Sequence, residues 1–484
     1  MRKFLLYLLV ITVALSVCGC SGGKSAETAE NKTVTLTWFV PGDKQPDISS
    51  VMNEVNKITE NKIGAKLDLQ FIDSGAYTER MTMNMASSNK FDLCFTGYVN
   101  PYIQAATNGG LLPIKGLMEK ETPKLLETVP SYIWADATYK NEIYAVPNEQ
   151  IVATSVAMVV KKDLADKYHL DTSSIRATED IEPFLEQVKK NEPNIYPFRA
   201  GGGAYTAFLS LDKNDFQDSL VSGLAAVENP DGKVEVVWAA KRDRITDSAK
   251  KLHDWFEKDY IRKDVASIMD DSQDMLMGKY AAWLTTYKPG VAGEHLANYG
   301  YEVAVMPVSY PYMGTMNAKM AMTGIGKNSE HPVQAIKLIE LFNTDKELYN
   351  LICFGVEGKH YNKTGDNRIE LIGNSGYAPN ASWKFGNQFN AYLVPGQDDH
   401  VWEETKKINN ESAKSKLLGF MPNLDSIRTE VTQIETVLGE YKCINTGVDD
   451  PDGYYNEYLS KLDNAGIEKA RMELQKQVDA FLNQ

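Results

Sequence analysis

The residues able to ligate metals, attack carbonyls or shuttle protons are five cysteines, six histidines and 65 acids. Few of them stand at a spacing that such chemistry needs. Cys94, Cys353 and Cys443 are far apart, each among apolar neighbours, and three thiols cannot all pair internally. They read as buried free thiols. No Cys/His set has metal-ligand spacing, so neither a metal nor a cofactor is expected. Gly201-Gly202-Gly203 lacks the following Lys-Ser/Thr and the preceding apolar strand of a phosphate loop. Asp449-Asp450-Pro451-Asp452-Gly453 places Pro where a calcium loop needs an acid, and reads as a helix-capping turn. There is no nucleophile elbow and no zinc-hydrolase motif. A glycosidase needs only two carboxylates about 5–9.5 Å apart, so the acids alone do not exclude one.

Cys18 and Cys20 have a different context. Arg2 and Lys3 precede an apolar run over residues 4–17, then Val17-Cys18-Gly19-Cys20 and small polar residues. A charged start, a short apolar core and a small-residue cut site make a secretory leader over 1–19. Val17-Cys18-Gly19-Cys20 resembles a bacterial lipobox, with Cys18 departing from the usual Ala, Ser or Thr. The resemblance implies cleavage after Gly19 and lipidation of Cys20 by a diacylglyceryl thioether and palmitate. The rest of 20–32 is small and polar and reads as a flexible tether. No other stretch reaches the roughly 18 apolar residues of a membrane span, so lipid is the expected anchor. The formal charge of −14 becomes −16 when Arg2 and Lys3 leave with the leader. An acidic surface argues against nucleic acid and against electrostatic binding to anionic lipid.

The remaining chain, about 460 residues, exceeds one hydrophobic core, so two or three domains are expected. A strand is read over 34–40, a helix over 47–63, a strand over 66–72, a helix over 78–86 and a strand over 91–95. This β-α-β-α-β order favours a parallel α/β sheet, which binds ligands at the carboxyl ends of its strands. Strands over 142–146, 152–160, 233–239, 280–285 and 301–306 alternate with helices over 163–169, 180–191 and 244–258, as in a second α/β unit inserted into the first. After Pro422 the apolar stripe Ile427, Val431, Ile434 and Val437 opens a helical segment.

Several blocks resemble extracellular solute-binding lipoproteins of carbohydrate ABC transporters. They are 34–41, Phe91-Asp92-Leu93 through Gly97, Gly110-Leu111-Leu112-Pro113-Ile114, Ile143-Tyr144-Ala145-Val146-Pro147, Phe354-Gly355-Val356-Glu357-Gly358-Lys359-His360-Tyr361 and Trp383 with Phe385-Gly386-Asn387. Residues 419–482 resemble a helical module of unknown function in one branch of that family. The resemblance implies an α/β, two-lobed, periplasmic-binding-protein-like (type II) fold with a hinge, an inter-lobe cleft and a C-terminal all-helical module. The expected division is a first lobe of 33–150 completed by 281–345, a second lobe of 151–280 completed by 346–415, and a module over 416–484.

The implied activity is capture of an oligosaccharide by hinge closure and its delivery to separate permease subunits, without catalysis. The carrier is expected to be a monomer on the outer face of a Gram-positive membrane. A peptide or other non-sugar ligand, or a surface glycosidase, are the alternatives. A sugar ring has apolar C–H faces and a hydroxyl edge, so its cleft needs aromatic platforms and converging polar groups. At strand ends and in inter-lobe loops the candidates are Trp38, Thr96, Asn100, Asn148, Glu149, Trp283, Tyr287, Glu357, Tyr361, Trp383 and Asn387.

Overall fold

The structure, a computed structural model, describes residues 33–87, 89–153, 155–201, 217–268 and 271–483. The leader, Cys20, the tether, Gly202 and Gly203 lie outside them. Four strands come first: β1 (Val34–Pro41), β2 (Ala65–Ile72), β3 (Leu93–Gly97) and β4 (Ala145–Pro147). The chain then crosses to β5 (Ser155–Lys161), β6 (Tyr196–Phe198), β7 (Gln217–Val221), β8 (Leu224–Glu228), β9 (Val234–Trp238), β10 (Tyr280–Tyr287) and β11 (Val303–Pro307). It returns through β12 (Tyr312–Met313) to β13 (Ala321–Ile325).

The first sheet has the order β2-β1-β3-β13-β4; β1 runs parallel to β2 and β3, and β13 antiparallel to β3 and β4. The second has the order β11-β5-β10-β6, with β5 antiparallel to both its neighbours. Local sequence explains the entry to the first sheet. In β1 the alternating Leu36, Trp38 and Val40 turn inward. The helix Ile48–Ile63 buries Val51 and Val55 and stops at Gly64, whose φ of 65° lets its N–H close on the Glu60 carbonyl. The carboxylate of Asp73 accepts the N–H groups of Gly75 and Ala76 and so starts the helix Ser74–Ala86.

The lobes divide differently from the expected partition. Residues 281–345 do not all complete the first lobe. β10 is apolar on both faces and pairs with β5 and β6 inside the second sheet, and β11 pairs with β5. Only β13 and the helix Pro332–Thr344 return to the first lobe. Nor do 346–415 complete the second lobe. Tyr349, Ile352, Phe385, Leu393 and Trp402 are buried in the first-lobe core with Leu36 and Trp38. The C-terminal region is helical, as expected, and packs on the small β7-β8-β9 sheet. Val431, Ile434, Leu462, Leu474 and Val478 share one core with Leu224, Val236 and Trp238 of that sheet.

The first connection between lobes includes 148–153 and the second runs over 308–320; the chain crosses once more after the helix Val401–Glu411 to enter the C-terminal module. The first connection is clamped by Asn409 of that helix. Its Oδ1 accepts from the N–H of Val152 (2.9 Å) and Ala153 (3.2 Å), and its Nδ2 donates to the Gln150 carbonyl (2.7 Å).

Candidate functional site

The carboxyl end of β3 builds a turn that presents one aromatic ring. Thr96 is fully buried and donates its hydroxyl to the Asn100 carbonyl at 2.5 Å. Asn100 takes a left-handed φ of 52° and donates its amide to the Phe95 carbonyl at 3.2 Å. A Cβ on Gly97 would stand 2.1 Å from the Met320 carbonyl oxygen, so only glycine allows the turn to close on the second connection. Thr96 and Asn100 therefore spend their polar groups on the turn. The residue it holds outward is Tyr98, 42% exposed.

Tyr98 meets Trp383. The ring centroids are 5.6 Å apart, and both rings lean on Phe95 at 5.7 and 6.0 Å. Trp383 is fixed from several sides. Asn148 donates its amide to the Trp383 carbonyl (3.2 Å) and accepts from the Thr323 hydroxyl (3.2 Å). The next residue, Lys384, donates its ammonium to the Pro41 carbonyl at the end of β1 (2.8 Å). The result is a partly exposed Trp/Tyr platform at the carboxyl ends of the first sheet's strands.

Glu149 and Asn387 are also brought together. Asn387 Nδ2 donates to a Glu149 carboxylate oxygen (2.8 Å), and Gln388 N–H donates to the Glu149 carbonyl (2.8 Å). Burial raises the Glu149 carboxyl to about 7, with Lys406 pulling weakly the other way. From the second lobe, Tyr287 ends β10 half-buried, and burial followed by the charge of Glu404 raises its phenol. The next residue, Lys288, pairs with Glu294 at 2.8 Å. A cavity of about 220 Å³ lies between Lys288, Glu294 and Asn298 of this lobe and Trp383, Gln388 and Tyr392 of the other.

Four sequence candidates are placed elsewhere. Trp38 lies in the first-lobe core, its ring 5.2 Å from Phe342 and 5.7 Å from Phe385, because β1's alternation turns it inward with Leu36 and Val40. Trp283 is in mid-strand and packs on His295 in the second-lobe core at 5.6 Å. Glu357 is exposed and paired with Lys363 (3.1 Å), and Tyr361 is buried beside it. Their block makes a structural turn. His360 Nδ1 accepts the Val356 N–H (2.8 Å), so Nε2 carries the proton and donates to Asp47 (2.9 Å). Lys359, then Ser50, then His360 hold the Asp47 carboxyl down at about 2.

Sequence reasoning missed Tyr98, Lys288, Glu294, Asn298 and Tyr392. The order "aromatic after Gly97" was the one available signal for Tyr98. Among the described residues, no group of three or more His, Cys, Asp or Glu is arranged to hold a metal ion. Among them, too, no helix is long and apolar enough to cross a membrane.

Residues 43–348 match the bacterial extracellular solute-binding protein family. The chain belongs to that family. Residues 416–483 of this solute-binding protein match a domain of unknown function. A carbohydrate ABC transporter substrate-binding protein of Streptococcus pneumoniae serotype 4 is 30% identical over 482 residues, 98% of this chain and 96% of the relative. The crystal structure of the N-glycan transport solute binding protein of Streptococcus pneumoniae is similar at a TM-score of 0.81 and 28% identity. It covers 93% of this chain and 99% of that one. The same protein in complex with Man5GlcNAc gives a TM-score of 0.76 and 30% identity, covering 93% and 98%. The two-lobed mixed α/β fold and the helical C-terminal region are those of this family.

Proposed function

We propose that this solute-binding protein captures an oligosaccharide of the N-glycan type in its inter-lobe cleft and delivers it to an ABC permease. The observation that carries this reading is the Trp383/Tyr98 platform beside a cavity shared by both lobes. A flat aromatic face matches the C–H face of a pyranose, and the amides of Gln388 and Asn298 suit its hydroxyl edge. The cleft's charges also favour a sugar over a peptide. Lys288 and Glu294, the only charged residues lining the cavity among the described residues, neutralise each other, which suits an uncharged sugar better than a charged peptide terminus. The relatives that bind glycans supply the ligand class.

Ligand touching both lobes stabilises the closed arrangement by the difference in its contacts between open and closed forms. No step in this cycle makes or breaks a covalent bond, and the protein acts as a carrier rather than an enzyme. Lipid on Cys20 and the 20–32 tether would keep a monomeric carrier beside its permease on the outer membrane face. A thermal-shift screen of the protein from Ser21 onward against a glycan library tests the ligand class. High-mannose glycans should raise the midpoint by mass action. A screen in which peptides raise it and no glycan does would refute the reading.

A further inference from the structure

The module of unknown function reaches the hinge through three buried charges. Lys319, in the second connection, has a side chain 1% exposed, and its ammonium stands 2.5 Å from a carboxylate oxygen of fully buried Asp136. Asp136 belongs to the first-lobe helix Ser131–Ala137. The same carboxylate oxygen accepts the N–H of Gly419, at the start of the module, at 3.2 Å. The other oxygen of Asp136 is buried without a partner. On the far side, Asp218 of β7 is 4% exposed. It accepts the Thr315 N–H (2.9 Å) and the Tyr312 hydroxyl (3.3 Å) of the same connection, and the hydroxyl of Ser415 where the chain enters the module. Burial disfavours charge on all three, raising both carboxyls and lowering the ammonium.

Packing repeats the pattern. Leu418 joins a small apolar cluster with Val152 of the first connection, Met313 and Ala318 of the second, and Ile133 of the first lobe. Gly419, at φ 84°, fits so closely that a Cβ would lie 2.7 Å from the Ala135 carbonyl oxygen. The module shares its core with the β7-β8-β9 sheet, so it rides with the second lobe while its first turn touches the first lobe and both connections. A buried ion pair contributes little net stability but tolerates few geometries, since separating its charges leaves each unpaired in a low-dielectric interior.

We propose that the C-terminal module is a hinge brace, and that Asp136, Lys319 and Asp218 are positioning residues through which it sets the angle between the lobes and hence the affinity for solute. The affinity clause rests on the glycan reading above; the angle does not. The test places spin labels on exposed positions of the two lobes (Glu79→Cys and Lys190→Cys, with Cys443→Ser) and measures the inter-lobe distance distribution without ligand. Two variants are compared with the parent. Asp136→Asn with Lys319→Met and Asp218→Asn removes all three charges together, so that none is left buried alone. Gly419→Ala drives the module off the first lobe and leaves the charges in place. The brace predicts a widened or displaced distribution in both. It also predicts an affinity for Man5GlcNAc changed by about 5-fold or more, the low end of usual site-to-site coupling. Folded variants with the parent distribution would overturn the proposal. So would failure of both variants to fold, because the triad would then hold the fold rather than the lobe angle. A changed distribution in a protein that binds no glycan would leave the brace standing and sink the glycan reading.

Discussion

Replacing Glu149 by glutamine should stabilise the protein, by an amount that grows as the pH rises from about 4.5 to 7. Glu149 is 7% exposed, and burial lifts its carboxyl from 4.5 to about 7. The folded state therefore holds this proton more tightly than the unfolded chain does. Below pH 4.5 the carboxyl is neutral in both states and costs nothing. Between 4.5 and 7 ionisation is increasingly opposed by the fold, and above 7 the full cost is present. A lift of that size corresponds to about 3 kcal/mol. The Glu149→Gln variant keeps the carbonyl acceptor that Asn387 Nδ2 now uses, so the exchange removes the charge and little else. Scanning calorimetry of both proteins at pH 8 should show the variant melting roughly 6 °C higher, at about 2 °C per kcal/mol for a large domain. At pH 5 the difference should shrink to about a third or less. An equal difference at both pH values, or a less stable variant at pH 8, would refute the reasoning, because the ionised carboxylate would then have a favourable partner.

Trp38→Ala should cost about 3–5 kcal/mol of stability, as expected for a large core aromatic, and the protein that remains folded should bind its solute as before. Denaturant unfolding and ligand titration separate these effects. His360→Ala removes the acceptor of the Val356 N–H and the donor to Asp47, and should lower stability by about 2–3 kcal/mol in the same unfolding assay. The depressed Asp47 carboxyl contributes stability that is present above about pH 4 and lost as the pH falls through about 2. Acid unfolding of Asp47→Asn should therefore lack that part of the transition. Burial raises the Cys94 and Cys353 thiols well above their ordinary values. Burial raises the Cys443 thiol too, but this residue is only half-buried, so in the native protein from Ser21 onward a thiol reagent should modify it and leave Cys94 and Cys353 untouched. Mass spectrometry of the labelled peptides checks it.

The opening β1–helix–β2–helix–β3 run was legible because each element has a clean period: Leu36, Trp38 and Val40 at two, Val51 and Val55 at four. The same period places Trp38 in the core. Its position at a carboxyl end points to a site, but alternation with Leu36 and Val40 decides its direction. β13 had no comparable signal. All five of its residues are buried and one is Gly324, packed against Leu111 with no room for a side chain. The division of the chain between lobes was hidden for a related reason. β10 reads as a strand from sequence, but its neighbours β5 and β6 lie about 80 to 130 residues away. The platform combines both cases. Trp383 and Asn387 could be picked from a recognisable block, whereas Tyr98 acquires its role only from a ring 285 positions further along the chain.

Isothermal titration of the protein and its Trp383→Ala variant with Man5GlcNAc decides whether the Trp383/Tyr98 platform binds an oligosaccharide. The parent should show one saturable site. In the folded variant the affinity should fall about 30-fold or more, as for an aromatic hot spot worth about 2 kcal/mol. Equal affinity in the two proteins, or no binding of the glycan by the parent, would contradict that role.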